Sequence, residues 1–76
     1  MEKAYLLLSC DIGKEHDLAS QLRPIDEIKS VMITYGDYDI VVEAETENSQ
    51  KMDDLITSKI RKLEKIRSTI TLRVTA

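Results

Sequence analysis

The sequence predicts an α+β domain: a four-stranded antiparallel sheet with two helices on one face, in the order β-α-β-β-α-β. Three observations carry that expectation. Four apolar or β-branched runs of strand length are interleaved with two helical stripes in this order. The two halves echo each other, "EIKSVMIT" at 27–34 aligning with "KIRSTITL" at 65–72, an offset of 38 residues. A chain of 76 residues builds a single domain, 1–76, because two cores do not fit in it.

Each element has its own reason. Residues 3–11, "KAYLLLSCD", form an apolar run of strand length. In "IGKEHDLASQL", Leu18, Ala19 and Leu22 fall on one face of a short helix, which Pro24 stops near Arg23. "EIKSVMITY" is β-branched and apolar, "GD" turns the chain, and "YDIVVEAET" follows, so the pair reads as an antiparallel hairpin. "ENSQ" supplies a helix cap at Asn48 or Ser49. Met52, Leu55, Ile56, Ile60 and Leu63 then make a helical stripe to about residue 64, and "IRSTITLRV" is the last strand. Strand, helix, strand, twice over, is the split βαβ of ferredoxin-like domains.

Alternation assigns the strand faces. One face takes Leu6, Leu8, Val31, Ile33, Ile40, Val42, Ile70, Leu72 and Val74, nearly all aliphatic, and is expected under the helices. The other takes Tyr5, Leu7, Ser9, Met32, Thr34, Val41, Glu43, Thr69, Thr71 and Arg73. A water-facing surface has little use for Tyr5, Leu7, Met32 and Val41 together. Burying each such side chain stabilises by roughly 1.5–3 kcal/mol. The open face is therefore expected to be an interface, with those four residues in it.

Composition points the same way. A chain this short buries only about 60% of its unfolded surface and usually depends on a disulfide, a metal or a partner. One cysteine, Cys10, forbids an internal disulfide. His16 and Cys10, with no ligand spacing, exclude a structural zinc site. A partner subunit remains, so a homo-oligomer is expected, with no cofactor. The net charge of −3 and the mixed signs argue against direct DNA binding. Three tyrosines with no Phe or Trp offer no stacking platform for bases. No apolar run approaches membrane length and no export signal is present, so a cytoplasmic location is expected.

Two motifs stand out. In "TYGDYDI", Gly36 permits positive φ and Asp37 suits a turn, but turn chemistry does not account for a second carboxylate, Asp39, opening the next strand. Amides beside carboxylates also suit a zwitterion, whereas a metal would need further oxygen ligands. "TIT" places the Thr69 and Thr71 hydroxyls on one face, through strand propensity or as the lining of a cleft. Glu43 and Arg73 share a face in this reading and pair with each other or across an interface. His16 reads as surface and Cys10 as a small buried hydrophobe. No nucleophile–base set, phosphate loop or activated carboxylate pair can be assembled.

With "VMITYGDYDIVVEAE", an amphipathic helix and "IRSTITLRV" in this order, the whole chain resembles the effector-binding RAM domain of the Lrp/AsnC (leucine-responsive/asparagine regulator) family. The family pattern has a Gly-x-Tyr/Phe-Asp turn and a Thr-x-Thr in the closing strand. Gly36, Tyr38, Asp39, Thr69 and Thr71 match it. Three departures stand beside the match. Residue 1 opens the first strand, so the helix-turn-helix is absent and the chain reads as a stand-alone module. Glu64-Lys65-Ile66 replaces the frequent Pro-Gly-Val, and Pro24 shortens the first helix.

The resemblance implies dimers through the open faces, further assembly of dimers, and an amino-acid effector held between subunits. Its ligand residues would be Gly36, Asp37, Tyr38, Asp39, Thr69 and Thr71. Function is then expected to be amino-acid sensing that modulates full-length Lrp/AsnC regulators by co-assembly. A dimeric ferredoxin-like enzyme, of the small monooxygenase or isomerase type, and a purely structural assembly module are the alternatives.

Overall fold

The first apolar run becomes strand β1 (Glu2–Cys10), and a turn at Gly13, φ +81°, leads into helix α1 (Glu15–Leu22). Glu15 and Asp17 in the first helical turn complement the positive end of its dipole. The helix closes with the Arg23 N–H bonding to Ala19, one residue before Pro24, as its sequence requires. Strands β2 (Ile28–Ile33) and β3 (Ile40–Thr46) form the hairpin. Helix α2 (Ser49–Asp54) is capped by Asn48, whose side chain accepts the Lys51 N–H at 2.9 Å. It continues directly into a π-helical segment (Leu55–Ile60), and β4 (Ile66–Arg73) ends the fold. The computed structural model describes all residues, 1–76.

The sheet order is β2-β3-β1-β4 with every neighbouring pair antiparallel, which is the ferredoxin-like arrangement expected. The central strands β1 and β3 match Ala4 with Ala44, Leu6 with Val42 and Leu8 with Ile40. All six are fully buried under Leu18, Leu22, Met52, Leu55 and Ile60 of the helix layer. Leu63 falls beyond the helix, in the turn before β4, and only partly covers the core. No helix is long and apolar enough to cross a membrane.

The register of β4 corrects the expected faces. Thr69 pairs with Leu8, Thr71 with Leu6 and Arg73 with Ala4, so these three stand on the helix side. Ile70 pairs with Leu7 and Leu72 with Tyr5, which puts Ile70 and Leu72 on the open face. The cause is a β-bulge. Ile66 pairs with Cys10 and Ser68 with Ser9, leaving Arg67 as an extra residue that inverts the alternation after it. A second bulge does the same in β2, where Ile28 pairs with Ala44 and Ser30 with Glu43, leaving Lys29 extra. Lys29 and Arg67 stand 38 residues apart, the offset of the internal echo. Polar residues are tolerated on the helix side of β4 because it is an edge strand at the rim of the helix layer.

Candidate functional site

The hairpin loop is built before it is used. Thr34 N–H donates to the Asp39 carbonyl at 2.8 Å, and the Thr34 hydroxyl donates to the Tyr38 carbonyl at 2.7 Å. Gly36 sits at φ +135°, where a side chain would be strained, so the loop requires glycine there. Tyr35 is wholly exposed at its tip and Asp37 is exposed beside it.

Asp39 belongs to a different structure from the loop tip. Its N–H donates to the Leu8 carbonyl at 2.9 Å, and its Oδ2 accepts the Cys10 N–H at 2.9 Å. The carboxylate therefore closes the β3 edge of β1 just past the last regular pair, Leu8 with Ile40. It also lines an open cleft of about 490 Å³ at this end of the sheet. Glu15 from the start of α1, Arg67 from the bulge, and Ser9 and Ser68, paired across β1 and β4, line the same cleft. Cys10 contributes a thiol whose pKa burial, followed by the Asp39 charge, pushes up to about 11. At neutral pH that thiol is protonated and a poor nucleophile. Two carboxylates and one guanidinium around a polar cleft match an ammonium and a carboxylate on one small molecule.

Of the six residues expected to bind ligand, only Asp39 lines this cleft. Gly36, Asp37 and Tyr38 form the adjoining loop. Thr71 lines a separate groove against α2, and Thr69 lines neither, so within one chain the Thr-x-Thr motif does not join Asp39. Glu15, Arg67, Ser9 and Ser68 are missing from the sequence reading. No local sequence signal marks them, because they come from α1, β1 and β4 and meet only in the fold.

The open face carries Tyr5, Leu7, Met32 and Val41, and Ile70 and Leu72 extend it into a continuous apolar surface. Met32, Ile70 and Leu72 are 47%, 41% and 51% exposed. Glu43 lies in this face and is neutralised by Lys3 at 2.8 Å, with the Ser30 hydroxyl 3.4 Å away. Arg73 instead pairs with Asp53 at 2.8 Å on the opposite side of the sheet, so Glu43 and Arg73 do not pair with each other.

Comparison with known proteins identifies this architecture. The family model described as the Lrp/AsnC ligand binding domain matches residues 3–76. The chain belongs to the Lrp/AsnC family. The HTH-type transcriptional regulator FL11 of Pyrococcus furiosus is 34% identical over 71 residues, 93% of this chain and 46% of that regulator. The chain thus spans less than half the length of this curated Lrp/AsnC relative. A hypothetical protein of Pyrococcus horikoshii, PHS023, superposes with a TM-score of 0.96 at 34% identity, covering 100% of this chain and 92% of the other. A transcriptional regulator of Neisseria meningitidis, NMB0573, solved as a complex with L-Met, has the same fold (TM-score 0.87, 16% identity). That match covers 99% of this chain and 50% of the regulator. The Lrp/AsnC assignment makes this a ligand-binding domain of the kind found in transcription regulators.

Proposed function

We propose that this Lrp/AsnC domain senses an amino acid in the cleft beside Asp39 and couples its binding to assembly. The observation that carries the reading is the gathering of Asp39, Glu15 and Arg67 around one open cleft. Asp39 or Glu15 takes the α-ammonium, and Arg67 takes the α-carboxylate through its planar fork. The amides of the Gly36–Tyr38 loop lie next to Asp39 in sequence and complete the polar rim. Thr69 and Thr71 enter such a site only from a neighbouring subunit, because within one chain they line no cleft with Asp39. The L-Met complex of the Neisseria regulator is a precedent on the same fold.

The open face, with Tyr5, Leu7, Met32, Val41, Ile70 and Leu72, forms the dimer. A ligand that binds the assembled state more tightly shifts the population towards it by mass action. Through the same face the domain joins full-length Lrp/AsnC regulators, and its effect on transcription passes through them.

Calorimetry across the common amino acids tests the reading. Asp39→Asn preserves shape and an acceptor for the Cys10 N–H but removes the charge. It should weaken binding about ten- to a hundredfold, the worth of one charge-assisted hydrogen bond. Asp37→Asn, at the exposed loop tip, should change binding little. An amino acid that binds wild type and Asp39→Asn equally well would refute the site.

A further inference from the structure

The charges around the cleft beside Asp39 do not balance. Three charged side chains line it: Asp39 just before β3, Glu15 at the start of α1 and Arg67 in the β4 bulge. None of them belongs to any of the five ion pairs of the chain, so no other side chain cancels them. Ser9, Ser68 and Ile12 carry no charge, and the Cys10 thiol, pushed up to about 11, stays neutral at physiological pH. Two negative charges therefore face one positive charge. Asp11, at the end of β1, deepens the imbalance, since it adds to Asp39 and Glu15 in raising the Cys10 thiol. Lys14 is exposed and does not line the cleft.

The two lining carboxylates are not equivalent. Asp39 is fixed, because its Oδ2 accepts the Cys10 N–H at 2.9 Å. Glu15 is held only by the Gly13 N–H, at a long 3.3 Å. The zwitterionic end of an amino acid needs one anion and one cation, which Asp39 and Arg67 supply. That use leaves Glu15 without a counter-charge. An uncharged ligand side chain against Glu15 would strip water from the carboxylate and return nothing, a net cost. A cationic one returns a charge-assisted hydrogen bond. Ile12, 93% exposed at the cleft, offers an apolar contact for the methylene stem of such a side chain.

We infer that the effector is an α-amino acid with a cationic side chain, and that Glu15 holds the second cation. This rests on the amino-acid sensing proposed for the same cleft and narrows it to one chemical class. Its charges, two positive and one negative, are the complement of Asp39, Glu15 and Arg67.

The test is calorimetry of the 76-residue chain with L-lysine, L-arginine and L-norleucine, at neutral pH and one ionic strength. Norleucine is lysine without its side-chain ammonium, which is fully charged at that pH. The tighter of the two cationic probes should bind about tenfold or more better than norleucine. Glu15→Gln keeps an acceptor for the Gly13 N–H and should bring that ratio close to one. Asp11→Asn removes a charge at the same end of the sheet but outside the cleft, and should change the ratio by less than about twofold, as a screened surface charge does. Norleucine binding as tightly as both cationic probes overturns the inference and leaves the amino-acid site standing. A preference that survives Glu15→Gln, or that Glu15→Gln and Asp11→Asn reduce equally, also overturns it. If no amino acid binds at all, the inference falls together with the site.

Discussion

Asp39 and Cys10 are joined by a 2.9 Å hydrogen bond from the Cys10 backbone N–H to the Asp39 carboxylate, which fastens the start of β3 to the end of β1. The regular β1–β3 pairing ends at Leu8 and Ile40, so the carboxylate supplies the next β1 N–H on that side with a partner the ladder does not. A carboxylate that the sequence offers as a ligand group is therefore structural as well. Asp39→Ala should destabilise the domain by about 1–3 kcal/mol, the cost of leaving a partly buried N–H unpaired. Asp39→Asn should lose less, since its amide oxygen still accepts. Urea unfolding of the two variants separates these outcomes; an Asp39→Ala protein as stable as wild type would remove the structural role.

The element order, the helix core and the hairpin glycine were legible in the sequence because each rests on local chemistry. Leu18, Leu22, Met52, Leu55 and Ile60 obey helical spacing, and all are buried. The faces of β4 were not legible by alternation, since a bulge at Arg67 resets the phase without any change in composition. The information was nonetheless present in the internal echo. It aligns Ile70 with Met32 and Thr69 with Val31, and it sets Arg67 against Lys29, which is also a bulge. Taking β2 as the template would have placed Ile70 on the open face. The cleft was only partly legible, because Glu15, Arg67 and Ser9 come from three elements whose meeting depends on the tertiary fold.

The choice between Asn48 and Ser49 as the cap of α2 is decided by geometry, and it predicts a stability difference. Asn48 has extended backbone angles and its Oδ1 takes the Lys51 N–H, so Asn48→Ala should cost about 1 kcal/mol. Ser49 is already inside the helix, and Ser49→Ala should be close to neutral. Thermal unfolding of both variants checks the order; equal losses would contradict this assignment.

Stability should fall at both ends of the pH range for identifiable reasons. Glu43 is held below the ordinary carboxylate range by the hydrogen bond from Lys3, and Glu27 by its own backbone N–H and then by Lys59. A depressed folded pKa means stabilisation that is present above the unfolded value of about 4.3 and lost as pH falls through the folded one. Cys10 has the opposite sign. Its thiol, near 9.0 ordinarily and about 11 here, contributes fully below pH 9.0, and that contribution is lost as pH rises to about 11. Urea midpoints across pH should therefore decline in acid and again above pH 9. Glu43→Gln should soften the acid limb, and Cys10→Ala should reduce the alkaline decline. An alkaline limb identical in Cys10→Ala would rule out the thiol as a contributor.

The inverted face of β4 makes a sharp prediction about assembly. Wild type is expected to sediment as a dimer or larger at micromolar concentration, because Tyr5, Leu7, Met32, Val41, Ile70 and Leu72 form one apolar surface on a domain too small to afford leaving it wet. Leu7→Glu places a charge at its centre and should split or unfold the assembly, since an unpaired buried charge costs several kcal/mol. The neighbours Ile70 and Thr71 then distinguish this face from the one that alternation alone suggests. Ile70→Asp should dissociate the dimer. Thr71→Asp, on the other side of the sheet beside Arg61 and Arg73, should leave it intact. Sedimentation velocity on the three variants reads the answer directly. Dissociation by Thr71→Asp but not by Ile70→Asp would return the interface to the opposite face, and a folded wild-type monomer at high concentration would remove it altogether.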